Sequence, residues 1–103
     1  MTKAYFYYRN GTICAFKLCG HTDDEGDDEA RIVCAAISSA AYMTANTITE
    51  IIGAEVDLDL TDSFMRIDIK QPELTKAILE GFKLHIEGLA EQYPNFIQIS
   101  TEV

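Results

Sequence analysis

Residues 5–19 read YFYYRNGTICAFKLC, two apolar runs joined by an Asn-Gly pair. Asn10-Gly11 is a strong signal for a β-hairpin, because a type I′ turn needs positive φ at both of its central residues. The aromatic run over residues 5–9 predicts one strand, and residues 12–19 predict the strand that returns beside it. A hairpin close to the amino terminus is therefore the first element of the fold.

Side-chain alternation along the second strand separates a core face from an outer face. The two sets are Cys14, Phe16 and Leu18 on one face, and Ile13, Ala15, Lys17 and Cys19 on the other. We assign the first set to the core. Cys14 is therefore predicted to be a buried small hydrophobe.

The later segments are predicted by their periodicity. Apolar residues at helical spacing predict a helix over residues 31–52, with Gly53 as its stop. Apolar–acidic alternation predicts a half-buried strand over 55–60, and a similar pattern predicts its partner over 65–70. Pro72 is predicted to open a second helix that ends at Tyr93-Pro94, before a last strand over 96–101.

The order β-β-α-β-β-α-β predicts an α+β fold, with two helices packed on one face of a mainly antiparallel sheet. The strand order does not follow from the sequence. The apolar side of the second helix is assigned to Leu74, Ile78, Phe82 and Leu89. At 103 residues, we expect a single domain over residues 1–103.

Composition restricts the classes of partner. The net charge of −9 argues against direct nucleic-acid binding and is compatible with a basic partner. No apolar stretch approaches the roughly 20 residues of a membrane span; the longest covers residues 32–43. The amino terminus lacks the apolar core of a signal peptide, which predicts a cytoplasmic protein without a membrane partner. Three cysteines without paired spacing predict neither disulfides nor a metal or other cofactor.

One segment carries a candidate reaction centre. His21 follows Gly20 at the end of the second strand, and Cys34 is predicted in the first turn of the first helix. The unpaired N–H groups of a helix N-terminus favour a thiolate and can hold an oxyanion, while a nearby neutral His can accept the thiol proton. On chemistry alone, a core cysteine and a turn histidine explain the same pattern.

The residue pattern of this segment resembles that of one known family. The segment is similar to the ribosomal-processing cysteine proteases called Prp. The similarity covers Gly-His, an acidic Gly-containing loop and the run IVCAAIS over residues 32–38. The resemblance implies that His21 and Cys34 are the catalytic pair and that Ser38 is a site residue. We expect Ser38 and the neighbouring residues Gly20, Arg31 and Ala35 to bind or support the substrate. The resemblance also implies a homodimer that removes a short N-terminal extension from a basic large-subunit ribosomal protein.

The chain departs from the family pattern at Arg31, where members typically carry Asp. A cation three residues before Cys34 favours its thiolate but cannot orient His21 as a carboxylate does; Asp27 or Asp28 is a candidate for that role. For a third function, a structural α/β domain regulated by a small ligand, nothing in the sequence points to the ligand. Two main functions are therefore open. One is an active protease. The other is a weakened or inactive Prp-like dimer that acts as an acidic binding module for a basic ribosomal partner.

Overall fold

The computed structural model describes residues 1–20 and 28–103. In chain order, the elements are β1 (Thr2–Arg9), β2 (Thr12–Cys19), α1 (Asp28–Asn46), a π-helical segment (Thr47–Ile52), β3 (Val56–Thr61), β4 (Phe64–Ile69), a 3₁₀ turn (Pro72–Leu74), α2 (Lys76–Gln92) and β5 (Ile97–Glu102). The predicted order of strands and helices is confirmed.

The strands form one sheet in the order β3-β4-β2-β1-β5, in which only the described β1–β5 pair is parallel. Both helices pack on the same face, since Val33 of α1 and Phe82 of α2 share one buried cluster with sheet residues. The ring of Phe82 lies 4.7 Å from that of Phe16 and 5.8 Å from that of Phe6, measured between centroids. The predicted α+β class is confirmed.

The first turn has the predicted geometry, with φ of 53° at Asn10 and 76° at Gly11. The assignment of Cys14 to the core is wrong, because β2 contains a β-bulge: Tyr7 pairs with Ala15 but Tyr8 pairs with Ile13.

Cys14 is the extra residue of that bulge, so the alternation shifts by one and Ile13 takes the core position. Ile13 is fully buried, whereas Cys14 is half-buried and its thiol lies 3.5 Å from the carbonyl oxygen of Tyr7. A bulge leaves no local sequence signal comparable to that of the turn.

The first helix begins at Asp28, three residues before the predicted start. Asp28 and Glu29 lie in its first turn, where acidic side chains stabilise the positive end of the helix dipole. The helical chain runs through the π-helical segment to Gly53, which ends it in a left-handed conformation (φ 74°) as predicted.

The same helical stretch, Asp28–Ile52, is long and apolar enough by length and composition to cross a membrane, contrary to the sequence-based expectation. Within this fold, 33% of its most apolar window is buried. Its buried stripe packs against the sheet, as the stripe of an amphipathic core helix does.

The second helix begins later than predicted, at Lys76, because Pro72 opens a separate 3₁₀ turn. Leu74 lies in that turn and is 50% exposed, so its assignment to the apolar stripe is wrong. The fully packed positions of α2 are instead Leu79, Phe82 and Ile86, flanked by half-buried Ile78 and Leu89.

β3 is an edge strand that extends past the cover of the helices. Leu58 and Leu60 lie opposite the buried residues Ile67 and Met65, yet they remain 48% and 44% exposed. The predicted half-buried face is therefore wrong beyond Val56, since no described element covers it.

Candidate functional site

A cleft lies where the carboxyl end of β2, the amino-terminal half of α1 and the β3–β4 turn meet. Its volume is about 90 Å³, enough for several waters or a small side-chain tip. The residues that line it are Thr2, Leu18, Cys19, Gly20, Cys34, Ile37, Ser38, Ala41, Tyr42, Leu60, Thr61, Asp62, Ser63, Phe64 and Met65.

Cys34 lies in the wall of this cleft and is half-buried. It is the seventh residue of α1 counted from Asp28, so its predicted place in the first turn is wrong. The six-residue rise puts Cys34 about 9 Å along the axis from Asp28. Its own N–H falls within the hydrogen-bonded ladder of the helix, so the backbone amide is not an oxyanion donor.

Gly20 holds the end of β2 in the cleft wall. Its φ of +89° is one that residues with a side chain rarely adopt, and a Cβ there would lie 2.5 Å from the carbonyl oxygen of Met1. That carbonyl belongs to the peptide unit whose N–H, on Thr2, donates to Phe96 at 2.8 Å. The close approach between the two chain segments therefore requires glycine.

His21 and Asp27 lie outside the described residues. Gly20, the residue immediately before His21, lines the cleft together with Cys34.

Ser38 and Tyr42 continue from Cys34 along one side of α1. The three residues are four positions apart, the spacing of one helix face, and all three line the cleft. The Ser38 side chain is exposed, and its hydroxyl forms no hydrogen bond with any residue in 1–20 or 28–103, whereas the Thr44 hydroxyl donates to the Ala40 carbonyl at 2.8 Å. The Ser38 hydroxyl is thus available to a ligand in the cleft.

Arg31 and Ala35 do not line the cleft. Arg31 forms an ion pair with Asp28 at 3.8 Å, and the two side chains are 63% and 92% exposed. A pair this exposed contributes little to stability. Ala35 is exposed on the next turn. Of the predicted site residues within the described part of the chain, the structure brings together Gly20, Cys34 and Ser38.

Sequence reasoning missed the opposite wall of the cleft. The β3–β4 turn contributes residues 61–64, and Cys19 lines the cleft at the end of β2. The turn is distant in sequence from Cys34 and reaches it only because β4 pairs with β2, from Ala15↔Asp68 to Cys19↔Phe64. The position of Cys19 directly before Gly20-His21 was the available signal for its presence at the site.

Comparison with known proteins places this arrangement in a family. The family model of the cysteine protease Prp matches residues 1–98, and no curated protein matches the sequence. SMU.848 from Streptococcus mutans is 30% identical, with a TM-score of 0.88 over 99% of this chain and 97% of that chain. The ribosomal processing protease Prp from S. aureus, solved with a substrate peptide, has the same fold at 18% identity, with a TM-score of 0.88 over 99% of this chain and 100% of that chain. Because the family match spans nearly the whole sequence, the chain belongs to the Prp family of cysteine proteases.

Proposed function

We propose that this chain is a cysteine endopeptidase that removes a short N-terminal extension from a large-subunit ribosomal protein, with Cys34 as nucleophile and His21 as general base. The observation that carries the proposal is the cleft, in which the Cys34 wall of α1 faces the strand end that leads into His21.

The reaction uses one nucleophile and one base of the chain, one hydroxyl that stabilises the oxyanion, and one water. Cys34 Sγ bonds to the carbonyl carbon of the scissile peptide, and His21 takes the thiol proton. The imidazolium then returns a proton to the leaving amine, and water hydrolyses the thioester. Because the amide of Cys34 is internal to the helix, we assign the donor for the developing oxyanion to the Ser38 hydroxyl, one turn further along α1.

The charge of the protein supports a basic substrate. With a net charge of −9, the chain attracts a positively charged protein before contact, which raises the rate of encounter. The S. aureus relative is described as a ribosomal processing protease, and its structure contains a substrate peptide. Ribosomal proteins that carry an N-terminal extension fit both properties.

The setting and assembly are part of the same proposal. We place one protease domain, residues 1–103, in the cytoplasm, where the free thiols of Cys14, Cys19 and Cys34 stay reduced. We also propose that it works as a homodimer, as the family resemblance implies. Exposed apolar side chains such as Met43 and Leu84, 54% and 71% exposed, are available for such contact.

The decisive experiment compares two cysteines that line the cleft. Purified wild-type, Cys34→Ala and Cys19→Ala proteins are incubated with the host's large-subunit ribosomal protein that carries an N-terminal extension, and cleavage is followed by mass spectrometry. We expect cleavage by wild type and Cys19→Ala, and at least a thousandfold loss in Cys34→Ala with an unchanged circular dichroism spectrum. Iodoacetamide should label Cys34 faster than Cys14 at pH 7.

The opposite results separate the two functions. Cleavage that survives Cys34→Ala overturns the assignment of the nucleophile. A wild-type protein that binds the ribosomal protein in a salt-dependent manner but leaves it intact supports instead the acidic binding module, for which the departure at Arg31 is the sequence argument.

A further inference from the structure

The outer edge of β3 offers unpaired backbone groups. Among described residues, β3 pairs only with β4, and the amide of Lys70 donates to the carbonyl of Glu55 at 2.9 Å. That bond fixes the phase of the ladder: alternate residues of β3, starting at Glu55, bond to β4. The N–H and C=O groups of Leu58 and Leu60 therefore point away from β4, to the free edge.

The two faces of this edge differ in chemistry. On the helix face, Leu58 and Leu60 are about half exposed. On the other face, Asp57 pairs with Lys70 at 2.7 Å, while Asp59 has no ion pair with any residue in the described part of the chain. The edge thus presents an apolar row on one face of the sheet and an acidic row on the other.

This edge continues into the cleft of Cys34. Leu60 lines that cleft, opposite the α1 face formed by Cys34, Ser38 and Tyr42. From Cys34 to Tyr42 the helix rises by eight residues, which is about 12 Å along its axis. An extended chain advances about 3.3 Å per residue, so about four residues fit between the reacting thiol and the far end of the face.

We propose that the peptide substrate binds as an added strand on the free edge of β3, with apolar side chains on Leu58 and Leu60 and basic side chains toward Asp59. Residues opposite each other in neighbouring strands share a face of the sheet, so the edge selects a peptide in which apolar and basic residues alternate. The inference rests on the proposed protease function and assigns the specificity of that site.

Charge argues for this occupant over a second copy of the chain. If two β3 edges paired antiparallel, the Asp rows of both copies would lie on the same face, directly opposite each other. Like charges in that position are destabilising. A basic peptide instead brings cations to Asp59 while its apolar residues cover Leu58 and Leu60.

The test measures binding without cleavage, in the Cys34→Ala protein. Two fluorescent, end-blocked hexapeptides of identical composition serve as probes: one alternates Lys and Leu, and the other carries three Lys followed by three Leu. Fluorescence anisotropy should show at least tenfold tighter binding of the alternating peptide. Equal affinities would overturn the proposal, because charge and hydrophobicity alone would then explain binding.

Two pairs of variants locate the contact. Leu58→Pro removes a donor that faces the free edge and leaves the β3–β4 ladder intact, and Leu58→Ala is the control for the lost side chain. We expect Leu58→Pro to bind the alternating peptide at least tenfold more weakly than Leu58→Ala does. Asp59→Asn should weaken peptide binding several-fold and reduce the salt dependence of binding. Glu73→Gln makes the same charge change on the exposed 3₁₀ turn and should leave peptide binding unchanged.

A second measurement applies if the proline variant does not fold. N-methylation of the alternating peptide at one residue at a time should weaken binding at every second position only, and a loss without that period would overturn the edge-strand geometry. The result is independent of catalysis. If wild type cleaves its ribosomal substrate while both tests fail, the protease function stands and this inference falls.

Discussion

Gly20→Ala is the substitution whose effect the structure specifies most fully. Two costs combine at this position. An L-residue in the left-handed region costs about 1–2 kcal/mol. The new Cβ would also lie 2.5 Å from the Met1 carbonyl oxygen, and relieving that contact turns the peptide unit whose N–H bonds to Phe96. The weakened hydrogen bond adds about 1 kcal/mol.

The sum is a loss of about 2–3 kcal/mol in the free energy of unfolding, which lowers the Tm of a domain this size by roughly 10–20 °C. Gly53→Ala is the matched control. Gly53 has a similar φ of +74°, but no atom of the described residues, apart from its chain neighbours, lies within 4 Å of its added Cβ. It should therefore lose only the conformational cost, about 1–2 kcal/mol.

Thermal and urea unfolding of the two variants, followed by circular dichroism, measure both costs under the same conditions. Gly20→Ala should be the less stable variant by about 1 kcal/mol, and it should also lose cleavage activity because the cleft wall moves. Equal stability of the two variants would refute the reasoning, since it would mean that the Met1 contact relaxes without cost.

Further predictions concern the bulge and the sheet surface. Ile13→Ala should destabilise the protein by about 2–4 kcal/mol because a fully packed side chain is lost, while Cys14→Ala should cost less than about 1 kcal/mol; equal effects in urea unfolding would contradict the shifted register. Asp68 accepts two hydrogen bonds from Arg66, at 2.9 and 3.1 Å, which lower the pKa of its carboxyl below 3.8. A carboxyl whose pKa is lowered by folding stabilises the protein above its unfolded pKa, and this contribution is lost as the pH falls through the folded value. Asp68→Asn should therefore lose at most about 1 kcal/mol at pH 7 and show a smaller drop in stability between pH 5 and pH 2; an unchanged acid dependence would show that this pair is not its source.

The sequence-based predictions were accurate for features set by one or a few neighbouring residues, and inaccurate for features set by contacts between distant parts of the chain. The turn at Asn10-Gly11, the stop at Gly53 and the end of α2 before Pro94 depend on the φ preferences of single residues, so they were predictable. The core position of Ile13, in place of Cys14, could not be predicted. A bulge is fixed by the pairing of two strands and not by the side-chain pattern of one strand.

At the candidate site, the sequence predicted the chemistry and the tertiary structure determined the surroundings. The run IVCAAIS predicted Cys34 and Ser38 as site residues, because a family pattern is a property of the chain itself. Only the pairing of β4 with β2 brought residues 61–64 of the β3–β4 turn to the thiol, and only the position of β3 beyond the helices left its edge open. Strand order is decided by which arrangement buries the most apolar surface across the whole fold, and no local stretch of sequence contains that sum.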